Sequence, residues 1–190
     1  MHTLAKNLSD AAVVAAALEN PDHYGEIIVR YQAKLLRYIR RISGLGDEDI
    51  EDLLQEVFIK AYQNLRDYDP KQSFSSWIYR IAHNHVISNF RKLKARPEVS
   101  HSTDDEAIAP ALAVDLGIED GVDQQLRRST ILQALQKLES RYREVIILRY
   151  FEDKSYEEIS EILQKPIGTI GTLINRAHKQ CKVLIAQELA

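Results

Sequence analysis

The sequence predicts an all-α protein, with two small helical domains joined by a flexible acidic linker. Apolar residues recur at three- and four-residue steps on both sides of the middle of the 190-residue chain. The middle segment combines proline, glycine and acidic residues without a sustained helical period. No Asn-Gly or Asp-Gly turn joins two segments of alternating apolar residues, so strands are not expected.

Three helices are predicted within the first domain, residues 9–95. Apolar residues along 27–42 form one stripe, which stops at Gly44. A second stripe follows along 50–65, and its other side is polar and largely acidic. A third helix is expected over 77–90. Each helix can therefore bury one face in a shared core.

The linker is assigned to residues 96–125 because the acidic charge is concentrated there. Residues 1–95 carry 13 Lys/Arg against 12 Asp/Glu, residues 96–125 carry 1 against 8, and residues 126–190 carry 11 against 8. The net charge of −3 thus comes from the linker, whereas neither domain is acidic by itself. This distribution is compatible with nucleic-acid binding by either domain.

The second domain, residues 126–190, is predicted to contain four helices. The first two cover 126–138 and 140–150. A third begins at Ser155, where Ser-Tyr-Glu-Glu is a capping box. Pro166 interrupts the period and starts the fourth, because proline fits the first turn of a helix but not its interior.

The last two helices have the spacing of a helix-turn-helix. Such a motif needs a second helix with short polar and basic side chains that can reach base edges. The outward positions of the last helix supply them: Thr169, Thr172, Asn175, Arg176, His178 and Lys179. Arginine and asparagine can pair bidentately with guanine and adenine. A helical hairpin in a structural bundle is the alternative interpretation of this segment.

A second candidate surface is the stretch between Pro70 and Pro97, which contains no acidic residue. Its cations can neutralise phosphates, and its aromatic side chains can stack on exposed bases. The members are Lys71, Arg80, Arg91, Lys92, Lys94 and Arg96, interleaved with Phe74, Trp77, Tyr79 and Phe90. Core packing is the competing role for Phe74 and especially for Trp77.

Other functional classes find little support in the sequence. There is no Gly-rich phosphate loop, and His83 and His85 are two residues apart, so their rings point to different helix faces. Cys181 is the only cysteine, which excludes an internal disulfide and a multi-cysteine zinc site. The apolar run 11–18 is too short to span a bilayer. We therefore expect a cytoplasmic protein that is not an enzyme, holds no metal or cofactor and does not insert into membranes.

Two separate motif blocks resemble bacterial RNA polymerase sigma factors of the extracytoplasmic-function (ECF) group. The first block comprises Asp52-Leu-Leu-Gln-Glu-Val-Phe-Ile-Lys-Ala-Tyr62 and Phe74-Ser-Ser-Trp-Ile-Tyr-Arg-Ile-Ala-His-Asn84. The second comprises Ser155-Tyr-Glu-Glu-Ile159 and Pro166-Ile-Gly-Thr-Ile170. The resemblance covers about residues 9–95 and 126–186, in matching order and spacing.

The resemblance implies that the first domain is sigma region 2. Its acidic helix would dock on core RNA polymerase through Asp52, Gln55 and Glu56. The segment 66–74 would capture a base flipped out of the promoter −10 element. The residues implied to bind this element are Lys71, Phe74, Arg80, Asn84, Ser88, Arg91 and Lys92. No covalent chemistry is required of the chain.

The second domain would be sigma region 4, which reads the −35 element of promoter DNA. The implied contacts are Thr169, Thr172, Asn175, Arg176 and Lys179. This chain has Gly171 and Leu173 at positions that are often basic in the family, so individual bases are not assigned. The linker would run through polymerase channels, and an anti-sigma factor is an expected partner.

A different class of protein also fits these patterns. A conventional helix-turn-helix regulator would use its N-terminal helical domain to sense a ligand or to dimerise. The helix from Asp52 to Tyr62 separates the two hypotheses. A regulator predicts an apolar dimer surface there, whereas a sigma factor predicts a polar surface that binds polymerase.

Overall fold

A computed structural model describes residues 8–94, 135 and 137–188 of the chain. Every regular element within these residues is helical, as the sequence predicts. We call residues 8–94 the N-terminal module and residues 137–188 the C-terminal module. The predicted linker and most of the predicted helix 126–138 lie outside the described residues.

The N-terminal module is built from four α-helices in the described part of the chain. They are α1 (Asp10–Glu19), α2 (Tyr24–Ser43), α3 (Asp47–Gln63) and α4 (Phe74–Lys94). Short 3-10 turns, Pro21–His23 and Leu65–Asp67, follow α1 and α3.

Local sequence explains where these helices begin and end. Ser9 caps α1 by accepting a hydrogen bond from the amide of Ala12, and Gly44 ends α2 in the left-handed region with φ of 65°. The sequence placed the next helix at Ile50, but α3 begins earlier, at Asp47. Acidic residues in its first turn favour this extension because they interact well with the positive end of the helix dipole.

The core of the N-terminal module lies between α2, α3 and α4, which pack against each other. Leu35, Tyr38, Ile50, Val57 and Ile78 are almost completely buried there. Burial of such side chains contributes roughly 1.5–3 kcal/mol each for the aliphatic ones. The apolar stripes seen in the sequence therefore do form one shared core.

A polar cluster fastens α1 to α2. The hydroxyl of Tyr31 donates a hydrogen bond to a carboxylate oxygen of Asp10, and Arg30 forms an ion pair with the other oxygen at 3.1 Å. Arg30 also donates to the carbonyl of Leu8. These bonds hold α1 against α2, where Val13, Val14 and Ala17 of α1 join the core.

The C-terminal module contains α5 (Ser140–Ile146), α6 (Tyr156–Leu163) and α7 (Ile167–Glu188) in its described part. The sequence predicted one helix over 140–150. The structure instead has α5 followed by a wide π-helical turn, Ile147–Phe151. The amide of Glu152 donates to the carbonyl of Ile147 at 3.1 Å, which is the five-residue spacing of a π-helix.

The helix-turn-helix consists of α6 and α7. Both bonds of the predicted capping box are present between Ser155 and Glu158. Gln164 ends α6 with φ of 52°, and Pro166 then accepts the first hydrogen bonds of the next helix through its carbonyl. The turn between the two helices thus forms where the sequence predicted it.

The two modules are in direct contact. α4 packs along α6, and α2 contacts both α5 and the π-helical turn. The first helix of the helix-turn-helix, α6, therefore packs against α4, which carries most of the stretch without acidic residues.

Candidate functional site

The acidic surface of α3 is exposed. Asp52, Gln55 and Glu56 lie at positions i, i+3 and i+4, so they share one helix face, and all three are open to solvent. Ile59 continues the same face one turn later and is also exposed. Leu53 and Val57, on the opposite side, are buried. The face is polar with one apolar member, which suits a protein partner.

One short polar contact between side chains connects this acidic face to α4. The Nε2 atom of His85 lies 2.5 Å from Oε2 of Glu56. The imidazole is largely buried, whereas the carboxylate is more than half exposed. Glu56 is thus oriented by the neighbouring helix and still accessible to a partner.

The outer face of α4 is basic and polar. Asn84, Ser88, Arg91 and Lys92 are exposed, and Arg80 is partly exposed at the start of the same stripe. Their spacing of three and four residues places them along one line of the helix. Since no acidic residue occurs between Pro70 and Pro97, this line has no negative side chain of its own to offset it. It can therefore accept an extended polyanion.

The loop before α4 is held by its own hydrogen bonds. The hydroxyl of Tyr68 donates to the carbonyl of Gln72 at 2.7 Å, and the side chain of Asp69 accepts from the amide of Lys71 at 2.9 Å. Ser73 accepts a hydrogen bond from the amide of Ser76 through its side chain, at the start of α4. The side chain of Lys71 is exposed at the tip of this loop.

Phe74 lies in the core rather than on the DNA-facing surface predicted for it. Its ring is 3% exposed, stacks on Trp77 and meets the edges of Tyr31 and Tyr68. In this conformation it cannot reach a base. Aromatic residues at three-residue spacing in an amphipathic helix are commonly core residues, and Phe74 and Trp77 follow that pattern. Both rings pack against Tyr68, which belongs to the loop before α4.

The outer face of α7 carries the second predicted set. Thr169, Thr172, Asn175, Arg176 and Lys179 are all exposed. Their helix is held from behind by a buried side, which consists of Ile170, Ile174 and Ala177. A rigid helix with a polar and basic outer face is what entry into a major groove requires.

Three neighbouring side chains on α7 have other contacts. The Nε2 atom of His178 lies 2.7 Å from the hydroxyl of Tyr150, so His178 already has a hydrogen-bond partner within the C-terminal module. Leu173 is half-buried and packs against the core. The hydroxyl of Thr172 donates to the carbonyl of Gly168 at 2.9 Å. These contacts limit the side-chain motion of the three residues, and the outer face of α7 stays exposed.

Sequence reasoning missed a polar cluster at the contact between the modules. It consists of Arg41, Tyr79, Glu152 and Lys154, together with Ser75. Arg41 and Glu152 are 111 positions apart, and each taken alone resembles an ordinary surface charge. The sequence offers one weak indication that Arg41 is buried. Arg41 stands close to Ile39 and Ile42, at the end of the apolar stripe along residues 27–42.

Within the described residues, no group of three or more metal-ligating side chains is present. No described helix is long and apolar enough to cross a membrane. The candidate functional surfaces are the outer faces of α4 and α7 and the acidic face of α3, which all present exposed polar or charged side chains.

Two models of known protein families match the chain. The model of Sigma-70 region 2 matches residues 27–96, and the model of Sigma-70, region 4 matches residues 128–181. The ECF RNA polymerase sigma factor SigW of Bacillus subtilis is 35% identical over 162 residues, covering 83% of this chain and 86% of that protein. The ECF RNA polymerase sigma-E factor of Escherichia coli is 30% identical over 184 residues, covering 93% and 94%.

Two solved structures share the fold. One is CnrH in complex with the cytosolic domain of CnrY, with a TM-score of 0.68, 22% identity, and coverage of 94% of this chain and 97% of that chain. The other is the sigma factor RpoE in complex with the anti-sigma factor NepR from Bartonella quintana, with a TM-score of 0.67, 22% identity, and coverage of 86% and 96%. The helical arrangement described above thus also occurs in these two structures.

Proposed function

This chain belongs to the ECF RNA polymerase sigma factors, and from that membership we propose how its surfaces divide the work of promoter recognition. A sigma factor binds core RNA polymerase and directs it to promoters. We assign the core-binding role to the acidic face of α3, the −10 element to α4 with its preceding loop, and the −35 element to α7. The helix-turn-helix regulator considered above is not favoured by the family.

The observation that carries the proposal is the opposite charge of the exposed faces of α3 and α4. The face of α3 presents Asp52, Gln55 and Glu56, whereas the outer line of α4 presents Arg91 and Lys92 without an acidic neighbour in sequence. DNA would be repelled by the first face and attracted to the second. A protein surface and a DNA surface can therefore coexist on adjacent helices.

For the −10 element, we propose that Lys71, Arg80, Asn84, Ser88, Arg91 and Lys92 contact the DNA. Removing a base from the stack costs a few kcal/mol, which binding in a fitted loop must offset. The hydrogen bonds of Tyr68 and Ser73 stabilise that loop before DNA arrives. Phe74 acts in this scheme as the buried support of the loop and does not contact DNA.

For the −35 element, we propose that Thr169, Thr172, Asn175, Arg176 and Lys179 face the major groove. Arginine and asparagine at these positions can read base edges, and lysine can position the helix on phosphates. The domains we propose are sigma region 2 at 9–95, the linker at 96–125 and sigma region 4 at 126–190.

We further propose that the chain acts in the cytoplasm with the polymerase and performs no covalent chemistry itself. It requires no cofactor in this role. One of the two solved structures above contains the sigma factor RpoE in complex with the anti-sigma factor NepR. By analogy, an anti-sigma factor is the expected regulator of this chain.

The decisive experiment measures core binding and initiation with a charge reversal on α3. Asp52→Arg should abolish binding to purified core RNA polymerase, because it places a cation in the acidic docking face, while the far-ultraviolet circular dichroism stays unchanged. Glu19→Arg reverses the same charge at an exposed position at the end of α1 and should bind normally.

Transcription from a promoter library with core enzyme would then define the promoters that are read. If the wild-type chain binds promoter DNA alone but never the core enzyme, the proposed function is wrong. If Asp52→Arg and Glu19→Arg bind the core equally well, the assignment of the docking face to α3 is wrong.

A further inference from the structure

His85 on α4 lies at the border between the buried side of its helix and the polar outer line. Ala82 and Val86, on the buried side, are completely buried, whereas the neighbouring Asn84 is exposed. The side chain of His85 itself is 11% exposed. His85 therefore belongs neither to the core nor to the basic line, and its polar contact with Glu56 indicates what it does.

The chemistry of the two groups fixes the direction of this contact. Nε2 of His85 lies 2.5 Å from Oε2 of Glu56, across 29 positions of the chain. Since a carboxylate only accepts hydrogen bonds, the imidazole donates through an Nε2–H group, whether or not the ring carries a charge. Hydrogen bonds to a charged acceptor are stronger than those between neutral groups. Glu56 is thus held at its far end by a donor from the neighbouring helix.

The contact leaves Glu56 able to bind a partner as well. It uses Oε2, and the side chain is still 58% exposed. The two oxygens of a carboxylate offer about four acceptor positions, so one donor from α4 does not exhaust them. Asp52 is exposed one turn earlier on the same face. A basic group of the partner is therefore the complement of this site.

The other two members of the acidic face are not held in this way. In the part of the chain that the structure describes, no hydrogen bond or ion pair joins the side chain of Asp52 or Gln55 to another helix. Exposed side chains of this kind change rotamer freely and lose that freedom when a partner binds. Glu56 has lost much of it already, so it offers the partner a carboxylate at a fixed place.

Both ends of the contact are attached to rigid parts of the N-terminal module. α3 and α4 pack against each other, and Val57, next to Glu56, is completely buried. The hydroxyl of Tyr24 on α2 donates to the carbonyl of Phe58 on α3 at 2.7 Å. The backbone of α3 is therefore fixed around Glu56, and the remaining freedom is that of the side chain. His85 is placed to restrict this freedom.

We propose that His85 is a positioning residue for polymerase binding: its Nε2–H group holds the carboxylate of Glu56 where a basic group of core RNA polymerase can bind it. This inference rests on the proposed docking role of α3. His85 acts before the complex forms, because it reduces the conformational freedom that Glu56 would otherwise lose on binding. Ordering one long side chain in advance changes affinity by about twofold to tenfold.

The test compares two substitutions of His85 in the full chain. His85→Gln keeps an N–H donor near the place of Nε2, whereas His85→Leu removes the donor at similar size. Affinity for purified core RNA polymerase is measured without DNA. His85→Leu should weaken binding by about threefold to tenfold, and His85→Gln should stay within about twofold of the wild type.

Asn89→Leu is the matched control for the change from a polar to an apolar side chain. Asn89 is partly exposed on α4, one turn after His85, and lies outside the proposed contact sets. This variant should bind the core enzyme as the wild type does. Far-ultraviolet circular dichroism and urea unfolding report whether each variant is folded.

A double-mutant cycle separates positioning from a general effect on the fold. Glu56→Ala removes the positioned group and should weaken core binding by itself. In the Glu56→Ala background, His85→Leu should cause no further loss, because the donor has nothing left to hold. Losses that multiply would show that His85 acts independently of Glu56 and would overturn the proposal.

Initiation assays distinguish this role from direct contact between His85 and DNA. At limiting sigma concentration, His85→Leu should give fewer transcripts than the wild type, and saturating concentrations should restore the output, because only docking is impaired. A defect that persists at saturation, a normal core affinity of His85→Leu, or an equal loss in His85→Gln would each overturn the positioning role. Failure of the wild-type chain to bind core polymerase would instead overturn the proposed function.

Discussion

The hydroxyl of Tyr38 on α2 and Nδ1 of His83 on α4 lie 3.1 Å apart inside the N-terminal module. Tyr38 is completely buried, and burial raises its pKa well above its ordinary value, so the phenol stays protonated. His83 is likewise buried, and burial favours the neutral form of its imidazole.

The stability of the protein should fall as the pH is lowered through the histidine range. Burial, reinforced by the positive charge of Lys165, lowers the pKa of His83 from its model-compound value of 6.5 to about 4. The unfolded chain therefore takes up a proton at this site at higher pH than the folded one. The stability is fully present above about pH 6.5 and decreases between about pH 6.5 and 4, by at most about 3 kcal/mol.

Urea unfolding at several pH values measures this dependence, and His83→Gln provides the comparison. The variant should lose stability at pH 7, because it disturbs a buried bond, and should have a flatter pH dependence over the same range. Parallel curves for the wild type and the variant would contradict the role given to His83.

Arg176→Ala should weaken initiation mainly at promoters with an intact −35 element. The side chain lies on the exposed face of α7, where a bidentate contact to a base is worth about 1–3 kcal/mol. Lys182→Ala removes an exposed cation of the same helix outside the proposed contact set and serves as control. Initiation by purified holoenzyme on promoters with and without this element checks the prediction. An equal loss at both promoters would show that Arg176 does not act through the −35 element.

Arg91→Ala and Lys92→Ala should each reduce the salt dependence of DNA binding. Both side chains are exposed on the basic line of α4, and a cation that neutralises a phosphate adds about 0.9 to the slope of log affinity against log salt concentration. Holoenzyme affinity for promoter DNA, measured over a range of salt concentrations, gives this slope. Lys34→Ala, an exposed cation on α2, should leave it unchanged. A slope unaffected by all three changes would exclude phosphate contact by α4.

Gly171→Ala should stabilise the C-terminal module. A Cβ atom at this position would lie 3.8 Å from Cε2 of Tyr156, which is ordinary van der Waals contact, and the residue lies in the second turn of α7. Alanine is favoured over glycine by about 1 kcal/mol in a helix interior. Thermal or urea unfolding measures the gain. A loss of stability would mean that α7 and α6 pack more tightly at this point than the distance indicates.

Much of the fold could be predicted from residue spacing, because apolar residues recur at three- and four-residue steps along each helix. The stripes of α2, α3 and α4 and the capping box at Ser155 depend on neighbours within a few residues, so they are visible in the sequence. The π-helical turn was not predicted. Its apolar run Ile147–Leu148 fits both a regular and a wide turn, and only the tertiary packing distinguishes them.

The exposed faces of α4 and α7 were also predictable, since exposure follows from the opposite, apolar side of each helix. Phe74 was not, because an aromatic residue beside a basic stretch can either stack on a base or fill a core, and the sequence does not separate these roles. The pairing of Arg41 with Glu152 was invisible for another reason. Contacts between distant segments have no local signature, and isolated charges are usually solvated.

The wide turn Ile147–Phe151 makes the partnership of the two modules depend on chain length as well as on charge. A π-helical turn holds one residue more than an α-helical turn in the same place. Deleting that extra residue would let α5 continue as a regular α-helix and would shorten its connection to Glu152 by one residue. Such a deletion should therefore disturb the contacts of Glu152 with Arg41 and Tyr79 while leaving every side chain of the exposed faces of α3, α4 and α7 in place in the sequence.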